Sequence, residues 1–131
     1  MRAAAERGCE LLGVTDHFSP MLHPAGPDGP DLRDYQEYLN FEVWPCEWHG
    51  VRLLHGCEAD IVDDKGHLYG WDILLHRSLS GLPMLVPVTL EERVLADCDY
   101  VIASVHGTLD ASDFSREQAT QLYLGALAHP K

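Results

Sequence analysis

The sequence predicts an α/β fold with a parallel sheet, and three observations support this. Short, largely apolar runs occur at residues 11–14, 51–57 and 101–105, and runs of this length suit strands that are buried on both faces. Segments with helical spacing lie between them, so the order of elements is that of a parallel α/β chain. Each run also leads into a polar, metal-competent side chain, as is typical of the ligand-binding edge of such sheets. Because three strands are too few to close, we expect part of a barrel-like domain.

Length and charge limit what the protein can bind. The 131 residues are enough for one modest domain with its own core. With 9 basic residues against 21 acidic ones, the net charge is −12, which repels the phosphate backbone of a nucleic acid. No signal peptide precedes the first predicted strand, and no apolar run reaches the length of a membrane span. We therefore expect a cytoplasmic protein that binds neither nucleic acid nor a membrane.

The four cysteines lack the close spacing of a zinc knuckle or a thioredoxin-like motif. They are Cys9, Cys46, Cys57 and Cys98. We expect them to be buried and reduced.

The chain begins with a segment that resembles the last turns of a helix. Residues 2–7 are rich in alanine, and Gly8 is a typical C-terminal stop signal. A helix this short is not stable alone, so we expect the amino-terminal part of a larger domain to be missing. After the first strand, the Pro- and Gly-rich residues 19–30 form a predicted connector or active-site loop.

The middle of the chain contains a predicted helix, a strand and an aperiodic segment. Asp31 is the predicted N-cap of an amphipathic helix over residues 32–44, which ends before Pro45. After the second strand, residues 63–66 have the composition of a hairpin turn. Residues 69–89 are apolar without a clear period, and we interpret them as an insertion.

The last third contains two predicted helices around the third strand. Thr89 starts a short helix over residues 90–96. Ser115 and Gln118 make a capping-box pattern before a helix that runs nearly to the end. No strand follows this helix, which is a second sign that residues 1–131 are a single incomplete domain.

The three predicted strands end in side chains that can bind a metal ion: His17, Glu58 and His106. Each one alone is more often a loop or rim residue with satisfied hydrogen bonds. Their coincidence carries more weight, because one sheet edge would bring them together. Imidazole nitrogens and carboxylate oxygens suit zinc, manganese or iron. Ser104 before His106 resembles a nucleophile and its base, but this spacing alone does not establish a catalytic pair.

The runs LGVTDH, GCEADI and DYVIASVH resemble successive motifs of the PHP (polymerase and histidinol phosphatase) superfamily. With Phe41, Trp44 and Pro45 before the second motif, the chain is most similar to the bacterial stand-alone PHP phosphatases. The resemblance is weakest over residues 69–89. It implies a distorted seven-stranded (β/α) barrel that holds two or three divalent metals, usually zinc, manganese or iron. It also implies hydrolysis of a small phosphate ester by a metal-activated water.

The same resemblance implies roles for five residues of this chain. His17 matches a ligand of an outer metal, Glu58 matches a carboxylate that bridges two metals, and His106 matches a histidine on one of that pair. Asp16 and Asp60 lie beside these ligands, and we expect them to orient the ligands rather than to bind metal themselves.

The chain also departs from the family pattern. A His-x-His strand at the start, the histidine soon after it, and a late Asp-x-His motif are all missing. His129-Pro130 offers a match for the family's His-Pro. However, His129 follows directly on a helix, so we interpret it as the polar end of that helix and expect the ligand beyond Lys131.

The predicted function is metal-dependent hydrolysis of a phosphate monoester, impaired or absent in this chain because no metal keeps a full set of ligands. The alternative is a non-catalytic PHP remnant that acts as a binding module. In either case, exposed sheet edges favour association into a homo-oligomer. The acidity of the chain argues against a third possibility, the PHP domain of a DNA polymerase.

Overall fold

Three parallel strands form the centre of the fold in the computed structural model, which describes residues 2–24, 29–107 and 109–131. Strands β1 (Leu11–Phe18) and β6 (Tyr100–Ser104) both pair with β3 (Val51–Asp60) in parallel. The parallel α/β arrangement expected from the sequence is therefore present. The partial barrel stays a prediction. The middle of the predicted loop, residues 25–28, and Thr108 lie outside the described residues.

The two faces of this sheet differ in burial. Side chains alternate between the faces along each strand. One face carries Phe18, Cys57 and Ala59, which are fully buried in the hydrophobic core. The other face carries His17 and Ile102, which are exposed, and the half-buried Glu58 between them in register. The helices and loops cover the first face and leave the second open.

The connection from β1 to β3 contains three short helical turns instead of one helix. These are a 3₁₀ turn at Leu32–Tyr35, helix α2 at Gln36–Leu39 and a 3₁₀ turn at Phe41–Val43. The prediction of a continuous helix over residues 32–44 was therefore wrong. The Asn40 side chain donates a hydrogen bond to the Gln36 carbonyl (2.7 Å), and such local bonds compete with the helical pattern. The predicted N-cap is confirmed, since the Asp31 carboxylate accepts the backbone N–H of Arg33.

A short antiparallel strand, β2 (Glu47–Trp48), precedes β3 and was not predicted. It forms a hairpin with the start of β3 through His49 and Gly50, which have φ values of 55° and 75°. Positive φ at both central positions is typical of the tight turns that join antiparallel strands. A strand of two residues is too short to produce a pattern in the sequence.

The segment after β3 contains the predicted turn and an unpredicted hairpin. The turn at residues 63–66 is confirmed, because Ile61 and Leu68 form an antiparallel bridge around it. Strands β4 (Leu74–Arg77) and β5 (Pro83–Thr89) form a separate two-stranded sheet. Much of β5 is exposed, including the apolar Leu85, so burial imposes no alternation of polar and apolar residues there. The interpretation of residues 69–89 as an insertion stays a prediction.

The remaining helices begin where the sequence predicts. They are α3 (Leu90–Leu95) and α4 (Arg116–Leu127), and each starts with a complete capping box, from Thr89 and from Ser115. The amino-terminal α1 (Arg2–Glu6) is short, as expected. Within the described residues no helix is long and apolar enough to cross a membrane.

The cysteines divide into two pairs. Cys57 and Cys98 are buried, as expected, but Cys9 and Cys46 are exposed, so the prediction was wrong for them. All four are free thiols. Both exposed cysteines lie just before strands, outside the side-chain layer that fills the core.

Candidate metal centre

The fold brings together the three side chains that were expected to bind metal. His17 is the penultimate residue of β1, Glu58 lies near the end of β3, and His106 follows β6 by two residues. One ligand atom from each lies within 4.8 Å of the others, so this group could hold a metal ion. The parallel register explains the meeting, because His17 stands directly opposite Glu58.

Glu58 lies between the two imidazole rings. Its Oε1 is 3.1 Å from Nε2 of His106, and its Oε2 is 3.8 Å from Nδ1 of His17. The ring centroids of the histidines are 5.0 Å apart. Their side chains remain 47% and 33% exposed, so an ion or a substrate can reach the cluster from solvent.

A buried carboxylate holds the far side of the His106 ring. Nδ1 of His106 lies 2.5 Å from Oδ1 of Asp60, whose side chain is fully buried. The second oxygen of Asp60 accepts a hydrogen bond of 2.7 Å from the hydroxyl of Ser19. A carboxylate in this position fixes both the tautomer and the orientation of an imidazole. Asp60 thus contacts His106, and its role in orienting a metal ligand stays a prediction.

Asp16 makes a different contact. Its Oδ1 accepts the backbone N–H of His17 (2.8 Å), and neighbouring residues of a strand point to opposite faces. Asp16 therefore supports the backbone at His17 and lies on the other face from the His17 ring.

The carboxylates of Asp60 and Glu58 favour the protonated form of the His106 imidazole. The hydrogen bond with Asp60, with further attraction from Asp60 and Glu58, raises the pKa of the His106 imidazole above its ordinary value. Because both ring nitrogens face carboxylates, the cationic ring is favoured. A metal ion held by Nε2 would need that nitrogen free of its proton, so acid would compete with metal binding there.

The contacts that two serines make with the carboxylates of this site were not predicted from the sequence. The hydroxyl of Ser104 donates a hydrogen bond of 2.7 Å to Oε1 of Glu58, and Ser19 contacts Asp60 as described. Ser104 lies two residues before His106, so the period of two along an extended chain could have indicated a shared face. It contacts the carboxylate of the site, which differs from the nucleophile-and-base pairing considered for Ser104 and His106.

His129 lies apart from this cluster. It follows the C-cap of α4, and its Nε2 is 3.4 Å from Oε1 of Glu91. Burial lowers the pKa of the His129 imidazole, with a smaller contribution from Lys131. The structure thus places His129 at the polar end of a helix, as we interpreted it.

The chain is similar to proteins that carry the name "Probable phosphatase". A Clostridium novyi protein of this name is 33% identical over 103 residues, which are 79% of this chain and 31% of that protein. A second, from Caldanaerobacter subterraneus, is 29% identical over 129 residues, which are 98% of this chain and 40% of that protein. A third, from Photobacterium profundum, is 30% identical over 104 residues. The chain spans less than half the length of these relatives. No protein-family model matches it.

Proposed function

We propose that this chain is part of a metal-dependent phosphatase of the PHP type that hydrolyses phosphate monoesters. The observation that carries the proposal is the convergence of His17, Glu58 and His106 at the carboxyl end of three parallel strands. The likeness to proteins named as phosphatases supports the reaction class. Metal dependence and the PHP type rest on the donor set and on the sequence motifs.

The donor set fits a divalent metal ion. Two imidazole nitrogens and a carboxylate are ligands that zinc, manganese and iron accept. A bound divalent ion would polarise a phosphoryl group and lower the pKa of a water molecule. His17 would hold an outer ion, Glu58 would be shared between two ions, and His106 would hold one of that pair. Each oxygen of Glu58 faces a different histidine, which is consistent with a shared carboxylate.

The surroundings of the cluster suit a substrate pocket within a larger barrel. The open face of the sheet carries the half-buried Tyr100 and the exposed Ile102 beside Glu58. Among the described residues, β1 and β6 each pair with β3 alone. We propose that this face is the inner face of a partial PHP-type barrel. The small phosphorylated substrate would then enter from the end that carries the metal ligands.

Three ligands shared between two ions leave each ion short of a full coordination shell. A catalytic zinc ion usually has about three protein ligands and a water. We therefore expect the isolated chain to bind metal weakly and to turn over substrate slowly or not at all. The alternative, a non-catalytic binding module, gains no specific support from these contacts.

The proposal is tested by the metal content of the purified chain and by its activity. Zinc and manganese uptake is measured by equilibrium dialysis and elemental analysis, and hydrolysis of p-nitrophenyl phosphate is measured with each metal. We expect weak uptake that Glu58→Ala abolishes, because this substitution removes the carboxylate that lies between the two histidines. Glu117→Ala, at an exposed carboxylate in the first turn of α4, is the matched control and should bind as the wild type does. Uptake that is equal in the Glu58→Ala variant, or no uptake by the wild type at any concentration, would contradict the proposal.

A further inference from the structure

Five side chains in successive polar contact run through the candidate metal centre: three of the contacts are hydrogen bonds, and that between His106 and Glu58 is an ion pair. Ser19 donates to Asp60, Asp60 binds Nδ1 of His106, Nε2 of His106 faces Glu58, and Glu58 accepts from Ser104. The first and last members are hydroxyl groups, and each is a donor to a carboxylate. They come from different parts of the chain, since Ser19 directly follows β1 and Ser104 ends β6.

The first hydroxyl contacts a carboxylate that has no access to solvent. Asp60 is fully buried and Ser19 is 4% exposed. A buried carboxylate is costly unless its oxygens are hydrogen-bonded. Ser19 supplies the partner of Oδ2, while His106 is the partner of Oδ1. With Ser19 removed, Oδ2 loses this donor, and the carboxylate gains freedom to rotate away from the His106 ring.

The segment after β1 holds Ser19 in place. The Ser19 hydroxyl accepts a hydrogen bond from the backbone N–H of Met21 (3.2 Å). The backbone carbonyl of Ser19 accepts one from the backbone N–H of His23 (3.0 Å). The His23 carbonyl in turn accepts hydrogen bonds from the hydroxyls of Tyr35 and Tyr69. The hydroxyl that contacts Asp60 is thus fixed by its own backbone turn and by two aromatic residues.

The second hydroxyl contacts the other carboxylate directly. Ser104 donates to the same oxygen of Glu58, Oε1, that faces His106. This bond limits rotation of the carboxylate, whose side chain is 26% exposed. The remaining oxygen, Oε2, is directed toward His17. Ser104 therefore helps to hold the carboxylate plane with one oxygen toward His106 and the other toward His17.

We propose that Ser19 and Ser104 are positioning residues of the metal centre, and that their hydroxyls hold Asp60 and Glu58 so that His106 and Glu58 present their ligand atoms together. The inference rests on the proposed function, because the ligands are useful only if the chain binds a metal ion. Neither serine is among the three candidate ligands, and each would act through the carboxylate to which it donates. Residues that orient metal ligands typically contribute about 10- to 100-fold to metal affinity.

The test compares Ser19→Ala, Ser104→Ala and Ser104→Thr with the wild-type chain. We expect each alanine variant to weaken Zn²⁺ affinity by about tenfold or more, and Ser104→Thr, which keeps the hydroxyl, to recover most of it. Ser112→Ala is the matched control, because the Ser112 hydroxyl also donates to a carboxylate, that of Asp110, at an exposed position away from the site. The absorption spectrum of bound Co²⁺ reports the geometry of the ligands and should change only in the two site variants. A general loss of stability would not produce this pattern.

A second readout separates this inference from the proposed function. The Nδ1 proton of His106 is followed by NMR in the metal-free chain, where its bond to Asp60 should protect it from exchange with water. Ser19→Ala should reduce this protection, and Ser112→Ala should leave it unchanged. If the wild type binds no metal, the proposed function fails, and this signal still decides the role of Ser19. Unchanged Zn²⁺ affinity and unchanged protection in both alanine variants would overturn the inference.

Discussion

At the scale of single residues, Tyr100 and two glycines shape the face that carries the candidate metal centre. The Tyr100 ring lies across Gly13 and Gly56, and a Cβ atom added at Gly56 would lie 2.4 to 2.6 Å from three of its atoms. The Tyr100 hydroxyl bonds to that of Thr15 (2.5 Å), two residues before His17. The two glycines thus make room for an aromatic ring on the sheet face that carries the candidate ligands.

Gly56→Ala should therefore destabilise the chain by about 1 to 3 kcal/mol, because the ring must move or the strands must separate. Chemical denaturation measures the change in the free energy of unfolding. The control is a double-mutant cycle with Tyr100→Ala: once the ring is absent, Gly56→Ala should cost much less. Equal costs in both backgrounds would show that the ring is not the obstacle.

A second residue-scale prediction concerns the turn after β3. Partial burial raises the pKa of the Asp63 carboxyl, but hydrogen bonds from the His67 ring and from the backbone N–H groups of His67 and Lys65 outweigh it, so the pKa is lowered overall. A carboxyl whose pKa is lower in the folded state stabilises the fold above its unfolded pKa, near 4. This contribution is lost as the pH falls through the folded pKa. We expect Asp63→Asn to be less stable than the wild type at neutral pH, with a difference that shrinks in acid. Thermal unfolding across this pH range tests the prediction, and a constant difference would contradict it.

At the scale of elements, the two capping boxes determine where α3 and α4 begin. Thr89 Oγ1 accepts the backbone N–H of Glu92 (3.0 Å), and the Glu92 carboxylate accepts the N–H of Thr89 (2.7 Å). Thr89 is also the last residue of β5, so this box joins the outer hairpin to the helix that leads into β6. The start of α3 is therefore fixed by local chemistry at the point where the chain returns to the sheet.

Thr89→Ala should destabilise the chain by about 1 kcal/mol, since it removes the acceptor for an otherwise unpaired N–H of the first turn. Thr120→Ala is the control within α4. There the hydroxyl bonds back to the Arg116 carbonyl (2.8 Å) at an exposed position, and the substitution should be neutral or slightly stabilising. Denaturant titration distinguishes the two. Similar effects in both variants would mean that the cap is not the cause.

At the scale of the whole molecule, we expect association between copies. The sheet face is open, β1 and β6 pair only with β3 within the described part of the chain, and the hairpin is exposed. Several apolar side chains are exposed in and beside β5: Leu82, Leu85 and Val86. The net charge of −12 opposes association, because like-charged copies repel each other. Added salt screens this repulsion.

We therefore expect the isolated chain to self-associate more strongly at high salt than at low salt. Sedimentation velocity over a range of protein concentrations measures the fraction of oligomer. Leu85→Glu should reduce association if the hairpin takes part. A chain that stays monomeric at every salt concentration would contradict the expected homo-oligomer.

Three features could be predicted from the amino-acid sequence: the three parallel strands, the helix starts at Thr89 and Ser115, and the candidate ligands His17, Glu58 and His106. These features follow from short-range patterns: apolar runs of strand length, capping residues and the polar side chains at strand ends. Because these features depend on residues that are close together in the sequence, they can be recognised without the three-dimensional structure.

The contacts that hold the candidate ligands depend on how distant parts of the chain pack together. Ser19 and Asp60 are 41 positions apart in the sequence, and Ser104 and Glu58 are 46 positions apart. A periodic pattern in the sequence cannot predict contacts between residues so far apart. The sequence pattern also gave no sign of β2 or of the β4–β5 hairpin. Many apolar residues of the hairpin, such as Leu74, Leu85 and Val86, are exposed, so burial imposes no alternation on them. The broken helix at residues 32–44 is the opposite case, in which the sequence pattern predicted an element that the structure does not form. There the apolar spacing was helical, but the Asn40 side chain and the packing of Tyr35, Tyr38 and Phe41 in the core determined the backbone.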